Sequence, residues 1–232
     1  MKIIIGLSIA LAFFAVWFMK VRLKGYSKKD VTLKMLAAVC FVAISMVAFC
    51  MNPSELGRYL LFGADFGALG DLFLGLSHID KDNKKRHMFL GILGFGIGHI
   101  FYCVGLLIEY ASIDNLPYTL PPLGIGILIA VIVGVFGRKM GLHFGRLLPA
   151  VCVYVFLLSF SVVQALFLNI YHGFENTQLL LFGMGITLFI VSDSILARMY
   201  FGKQKHPALN VITNHVTYYL AQWLIALSIL FL

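Results

Sequence analysis

Two aspartates sit where a membrane chain tolerates them least. Asp71 lies within the apolar, glycine-rich stretch 61–75 (LFGADFGALGDLFLG), and Asp193 within a second apolar stretch, 183–197. A carboxylate in hydrocarbon costs several kcal/mol, with ~2.5–3.5 kcal/mol as the translocon figure, so such a residue marks a functional site by default. A pair of acids can donate and accept protons on a substrate, relay protons, or bind cations. The rest of the chain must then act as their scaffold.

Composition names the scaffold. Of 232 residues, 61% are hydrophobic and 12% charged, and the mean hydropathy is +0.95. This implies an all-α polytopic membrane bundle, read as a single domain over 1–232 because no polar segment can hold a soluble core. The net charge of +8 does not point to nucleic acid, because the charges sit in short loops beside apolar runs. Cys40, Cys50, Cys103 and Cys152 fall within apolar spans without a close pair, which argues against a zinc site or a disulfide framework. The first apolar run carries its basic cluster behind it and is expected to be a retained span rather than a signal peptide.

Eight spans can be drawn, at 3–19, 31–51, 57–77, 88–110, 120–137, 147–168, 177–199 and 208–231, each close to the ~20 residues that cross a bilayer. Their loops alternate in charge. Those after spans one, three, five and seven hold 15 of the 18 Lys and Arg residues, among them Lys81, Arg138, Lys203 and Lys205. Those after spans two, four and six hold Arg58 with Glu55, Glu109, Asp114 and Glu175. The excess of basic residues places the odd-numbered loops in the cytoplasm and both termini outside. Asp71 and Asp193 then each lie about six residues, or ~9 Å, from the cytoplasmic end of their spans. Lys34, Tyr154 and His215 fall in the same half, and Tyr218 and Gln222 continue toward the centre.

Face patterns agree with a packed, partly polar interior. Gly63, Gly67, Asp71 and Gly75 recur every four residues on one face, and Gly63 and Gly67 form a GxxxG pair that admits a close neighbour. His99 and Tyr102 share a face of span four, and His215, Tyr218 and Gln222 form a stripe on span eight. Asp65 points about 120° away from Asp71 and is read as a partner or a locally satisfied group, not a catalyst. An echo links Gly70-Asp71-Leu72-Phe73-Leu74-Gly75 to Ser192-Asp193-Ser194-Ile195-Leu196-Ala197, and His99-x-x-Tyr102 to His215-x-x-Tyr218. It points to a parallel repeat of four plus four spans.

At these residues the sequence resembles the YhhN-type lysoplasmalogenase family of membrane proteins. The matching pieces are Phe66-x-x-x-Gly70-Asp71, Phe89-x-Gly91-x-x-x-Phe95-x-x-x-His99-x-x-Tyr102, Val153-Tyr154, Phe189-x-x-Ser192-Asp193-Ser194-x-Leu196-Ala197 and Tyr218-x-x-Ala221-Gln222. One departure is Met35 after Lys34, where the family usually shows Lys-Pro. The resemblance implies hydrolysis of the vinyl ether bond of 1-alkenyl lysophospholipids to a fatty aldehyde and a glycerophospho-alcohol.

That chemistry suits two buried acids. Protonating the β-carbon of a vinyl ether leaves an oxocarbenium ion, which water attacks. The step needs one carboxyl that keeps its proton and an anion nearby. Asp71 and Asp193 are the expected catalytic pair, with the roles open between them. His99, Tyr102, Tyr154, Tyr218 and Gln222 would hold water and substrate, and Lys34 the lipid phosphate. Phenylalanines would line the alkenyl slot. No metal and no cofactor is called for; the partners are a lysophospholipid substrate and membrane lipid. The alternatives are an ion- or proton-coupled transporter of lipids or small molecules, and a metal-dependent membrane lipid hydrolase. No HxxxH or HExxH motif appears. The lack of soluble tails fits a bacterial plasma membrane.

Overall fold

The structure, a computed structural model, describes residues 1–110, 116–202 and 208–231, with the side chains of 117–119 excepted. Asp114, Lys203 and Lys205, which enter the charge pattern, lie outside the described residues. Eight α-helices follow one another: α1 Lys2–Arg22, α2 Lys28–Met51, α3 Glu55–Ile79, α4 Lys84–Tyr110, α5 Leu116–Phe136, α6 Leu148–Tyr171, α7 Thr177–Phe201 and α8 Ala208–Ser228. Short 3₁₀ turns precede α6 and follow α8.

Eight helices thus form in the expected order. Six of them, α1, α2, α3, α4, α6 and α7, are long and apolar enough to cross a membrane by length and composition. The apolar part of α5 is shorter, Leu120–Phe136, and Pro121 and Pro122 lie near its start. α8 exchanges apolar residues for a buried polar row of Asn214, His215, Tyr218, Tyr219 and Gln222. Several helices overrun the expected spans. α4 begins at Lys84, because lysine stems can lie along apolar surface while their charges reach water. Starts are fixed by side-chain caps: Ser27 accepts from the Asp30 N–H, Ser54 from Gly57 and Asn176 from Leu179. Each cap occupies an N–H that the helix itself cannot bond.

Lipid is as apolar as leucine, so close packing and hydrogen bonds, not burial from water, must hold these helices together. α3 packs most extensively on α4, and also on α2 and α8. Glycines make that possible. A Cβ at Gly98 would stand 2.9 Å from the Gly63 carbonyl oxygen, and one at Gly94 would stand 3.0 Å from the Gly70 nitrogen. The glycine face of α3 is divided among neighbours: Gly63 receives the ring of Tyr102 from α4, Gly67 the amide of Gln222 from α8, and Gly75 the side chain of Val31 from α2. α7 pairs with α8, α5 with α6 and α1 with α2, while α4 rests on α6 and α8 on α2.

The ends of α3 and α7 lie side by side, because His78 Nε2 and the Tyr200 hydroxyl are 2.7 Å apart. Asp71 stands eight residues before the end of α3 and Asp193 eight before the end of α7. Both acids therefore sit about 12 Å below a common level at 1.5 Å per residue. Nearby, Arg22 and Asp30 form a buried ion pair at 2.7 Å that ties the end of α1 to the start of α2.

Candidate active site

Asp71 is 1% exposed and fully engaged. Lys34, reaching across from α2, places Nζ 2.8 Å from Oδ1. Tyr218 on α8 donates its O–H to Oδ2 at 2.7 Å, and Gln222, one turn further on, donates Nε2–H to the Tyr218 oxygen at 3.1 Å. Charges this deep are costly unless bonded to a partner, and the 2.8 Å contact joins Lys34 directly to Asp71. The spacing of Tyr218 and Gln222 at i, i+4 lets one helix supply both donors. His215, on the same stripe, turns away: its Nδ1–H bonds the Val211 carbonyl at 2.7 Å, and its ring packs on Phe18 of α1.

Asp193 has a different setting. Tyr154 of α6 donates its O–H to Oδ2. Among the described residues nothing hydrogen-bonds to Oδ1, and no cation pairs with this carboxyl. It lines a cavity of about 340 Å³ bounded by α4, α5, α6 and α7, whose wall is mostly apolar, including Phe95, Val133, Val151 and Leu158. Leu142 and Phe144 of the α5–α6 connection also line it, and the His143 N–H is pinned to the Phe201 carbonyl at 2.9 Å. Positive φ angles at Gly141 (83°) and Gly145 (57°) allow that turn. Asp71 is not among the lining residues; Leu74, next on its helix face, is.

The two acids are joined by aromatic rings. Phe189, one turn before Asp193, packs its ring 5.4 Å from Tyr218 and 5.1 Å from His99. His99 in turn lies 5.6 Å from Tyr154 and 5.6 Å from Tyr102. Phe95 closes the group against Tyr218 and Phe189. His99 Nδ1 meets Ser161 Oγ at 3.4 Å.

Among the described residues several buried atoms of this cluster have no hydrogen-bonding partner: His99 Nε2, the Tyr102 hydroxyl and Gln222 Oε1. Each such group costs roughly 1–3 kcal/mol, and a concentration of them marks a place built to bond something polar. Among the described residues no three His, Cys, Asp or Glu side chains gather as a metal site. Asp65 is half-buried and stays outside the hydrogen-bonded cluster.

The eight expected residues are linked by contacts but do not share one layer. Asp71, Lys34, Tyr218 and Gln222 form a bonded group. Asp193 is held by Tyr154, and His99 packs on the Tyr154 ring. Tyr102 lies further along the bundle against Gly63 and Phe182. Lys34 is engaged by Asp71. Sequence reading missed the Asp71–Lys34 pair, the bridging role of Phe189, and Arg198 and Tyr200, which line the cavity. A cation one span away from a buried acid was the available signal for the first.

No curated protein and no solved structure matches the chain. Residues 30–229, from the start of α2 to the 3₁₀ turn after α8, match the YhhN family, to which this chain therefore belongs.

Proposed function

We propose that the chain is a lysoplasmalogenase-like ether hydrolase, which cleaves the vinyl ether bond of 1-alkenyl lysophospholipids with Asp193 as general acid and Asp71 as the anchor of the cluster beside it. Lysoplasmalogenases are found in the YhhN family. The observation that carries the reading is the asymmetry of the two carboxyls. Asp71 is neutralised by Lys34, whereas Asp193 faces an apolar cavity with one oxygen uncommitted. Environments that differ in this way assign acid and base roles to like groups.

Asp193 Oδ1 gives its proton to the β-carbon, and the C=C electrons form the new C–H bond, leaving an oxocarbenium ion. Tyr154, bonded to Oδ2, keeps Oδ1 turned toward the substrate. Water adds to the cationic carbon and returns a proton to Asp193. The hemiacetal then breaks its carbon–oxygen bond to glycerol, whose oxygen takes the hydroxyl proton. One water is consumed, and aldehyde and alcohol are released. The Asp193 carboxylate left by the proton transfer is the anion that faces the cation. The Lys34–Asp71 pair holds Tyr218 and the aromatic cluster in place, and His99, Tyr102 and Gln222 offer partners for water. General acid catalysis of this kind contributes typically 10²–10⁴-fold.

The test is to incubate purified protein in detergent with 1-alkenyl and 1-acyl lysophospholipids side by side. Aldehyde from the alkenyl lipid alone is the expected result, and it persists with a strong chelator. No aldehyde would favour the transporter reading, since a detergent solution has no gradient; loss with chelator would favour the metal-dependent one.

The same reading places eight spans in a bacterial plasma membrane with both termini outside the cytoplasm, and relates α1–α4 to α5–α8 as parallel repeats. Two matched contacts support the repeat. Lys34 is six residues into α2 and holds Asp71 on α3; Tyr154 is six residues into α6 and holds Asp193 on α7. The halves also meet reciprocally, α4 on α6 and α8 on α2.

A further inference from the structure

Arg198 lines the same cavity as Asp193, and the catalytic proposal gives it no task. It is exposed, close to the end of α7. Among the described residues it forms no salt bridge, and it is the one Lys or Arg on the cavity wall. Lys34 and Arg22, two other cations in this region, are engaged by Asp71 and Asp30. The ordinary roles of an arginine at this position are to complement the helix C-terminus and to mark the inner face of the membrane. Neither requires it to border a cavity that also holds an acid, with Ser194 and Ala197 on the helix face between the two.

The cavity is tiered along α7. Arg198 and Phe201 lie toward the helix end, Asp193 is next, and Ile190 lies deeper. Across from Ile190 the wall is Phe95 and Leu158. From Asp193 to Arg198 the helix rises about 7.5 Å. In a glycerolipid five single bonds separate the first-position ether oxygen from phosphorus, on the order of 6 Å extended at ~1.5 Å per bond. Arg198 and Asp193 lie about 140° apart around α7, on the two flanks of the face that Ser194 and Ala197 present to the cavity. A lipid with its phosphate at Arg198 therefore crosses that face to set its ether bond at the depth of Asp193, its chain among the apolar side chains beyond. Guanidinium presents parallel N–H donors that match two phosphate oxygens.

We propose that Arg198 is the phosphate-binding residue of this site and sets its preference for phosphorylated over neutral glycerolipids. This rests on the reading of the cavity as a lipid site, but the test does not require catalysis. A non-cleavable 1-alkyl lysophospholipid and the corresponding 1-alkylglycerol are titrated onto purified wild-type, R198Q and R198K proteins in detergent. R198Q is expected to weaken binding of the phospholipid about ten- to hundredfold, as loss of a charged hydrogen bond does, and to bind the alkylglycerol as the wild type does. R198K, a point charge without the fork, recovers part of the affinity. Excess inorganic phosphate is expected to leave lipid binding unchanged. Equal weakening of both lipids by R198Q, or of neither, overturns the assignment. Displacement of the lipid by inorganic phosphate overturns it in favour of a free-phosphate site. Absence of aldehyde with retained Arg198-dependent binding would reject the reaction and keep the lipid site.

Discussion

Replacing Asp71 by asparagine leaves the Lys34 ammonium buried beside a neutral amide, and a buried pair broken on one side costs about 3–5 kcal/mol. D71N is therefore expected to lower both the thermal unfolding midpoint in detergent and the rate of aldehyde release. K34M combined with D71N should recover stability without recovering activity. Asp193 has no cation to strand, so D193N should unfold at the wild-type temperature while losing roughly 10²–10⁴ in rate. Equal unfolding shifts in D71N and D193N would contradict the asymmetry between the acids. Both aspartates were legible in the sequence, because an acid in a long apolar run has no cheap explanation. Their partners were not. Lys34 reads as a phosphate ligand until the packing of α2 on α3 shows it bonded to Asp71. Arg198 reads as one more charge at a helix end until the cavity is seen beside it.

At the scale of the helices, the site depends on how closely α3 and α4 approach. Gly98→Ala would put a methyl group 2.9 Å from the Gly63 carbonyl oxygen, a backbone atom that cannot swing aside. Overpacking of this kind costs typically 1–3 kcal/mol, and here it also shifts the helix that carries Asp71. G98A is expected to lower both the unfolding midpoint and turnover. Gly6→Ala and Gly124→Ala, with nothing within 4 Å, are controls that should leave both unchanged; equal effects at all three positions would refute the packing argument. Apolar runs of about 20 residues made the helices legible. Their ends were less so, since Lys84, Lys85 and Arg86 join α4 instead of standing in a loop. The GxxxG spacing announced a close approach at Gly63 and Gly67, but the pattern alone could not say that one receives Tyr102 and the other Gln222.

Over the whole molecule, matched depth is the feature on which the rest depends. The alternation of charged loops placed Asp71 and Asp193 at one level, and the His78–Tyr200 contact between the ends of α3 and α7 agrees with that placement. The proposed orientation predicts that an impermeant thiol reagent on intact cells labels a cysteine at Glu175 and spares one at Lys85; the reverse would invert the topology. What the charge pattern could not convey was that Asp193, and not Asp71, lines the cavity between α4, α5, α6 and α7, because that follows from how those helices enclose it. The most direct test of the central claim is aldehyde release from a 1-alkenyl lysophospholipid by wild-type and D193N protein, purified in detergent and matched for unfolding temperature. Release by the wild type with at least a hundredfold loss in D193N is the predicted result; no release by the wild type, or undiminished release by D193N, would contradict it.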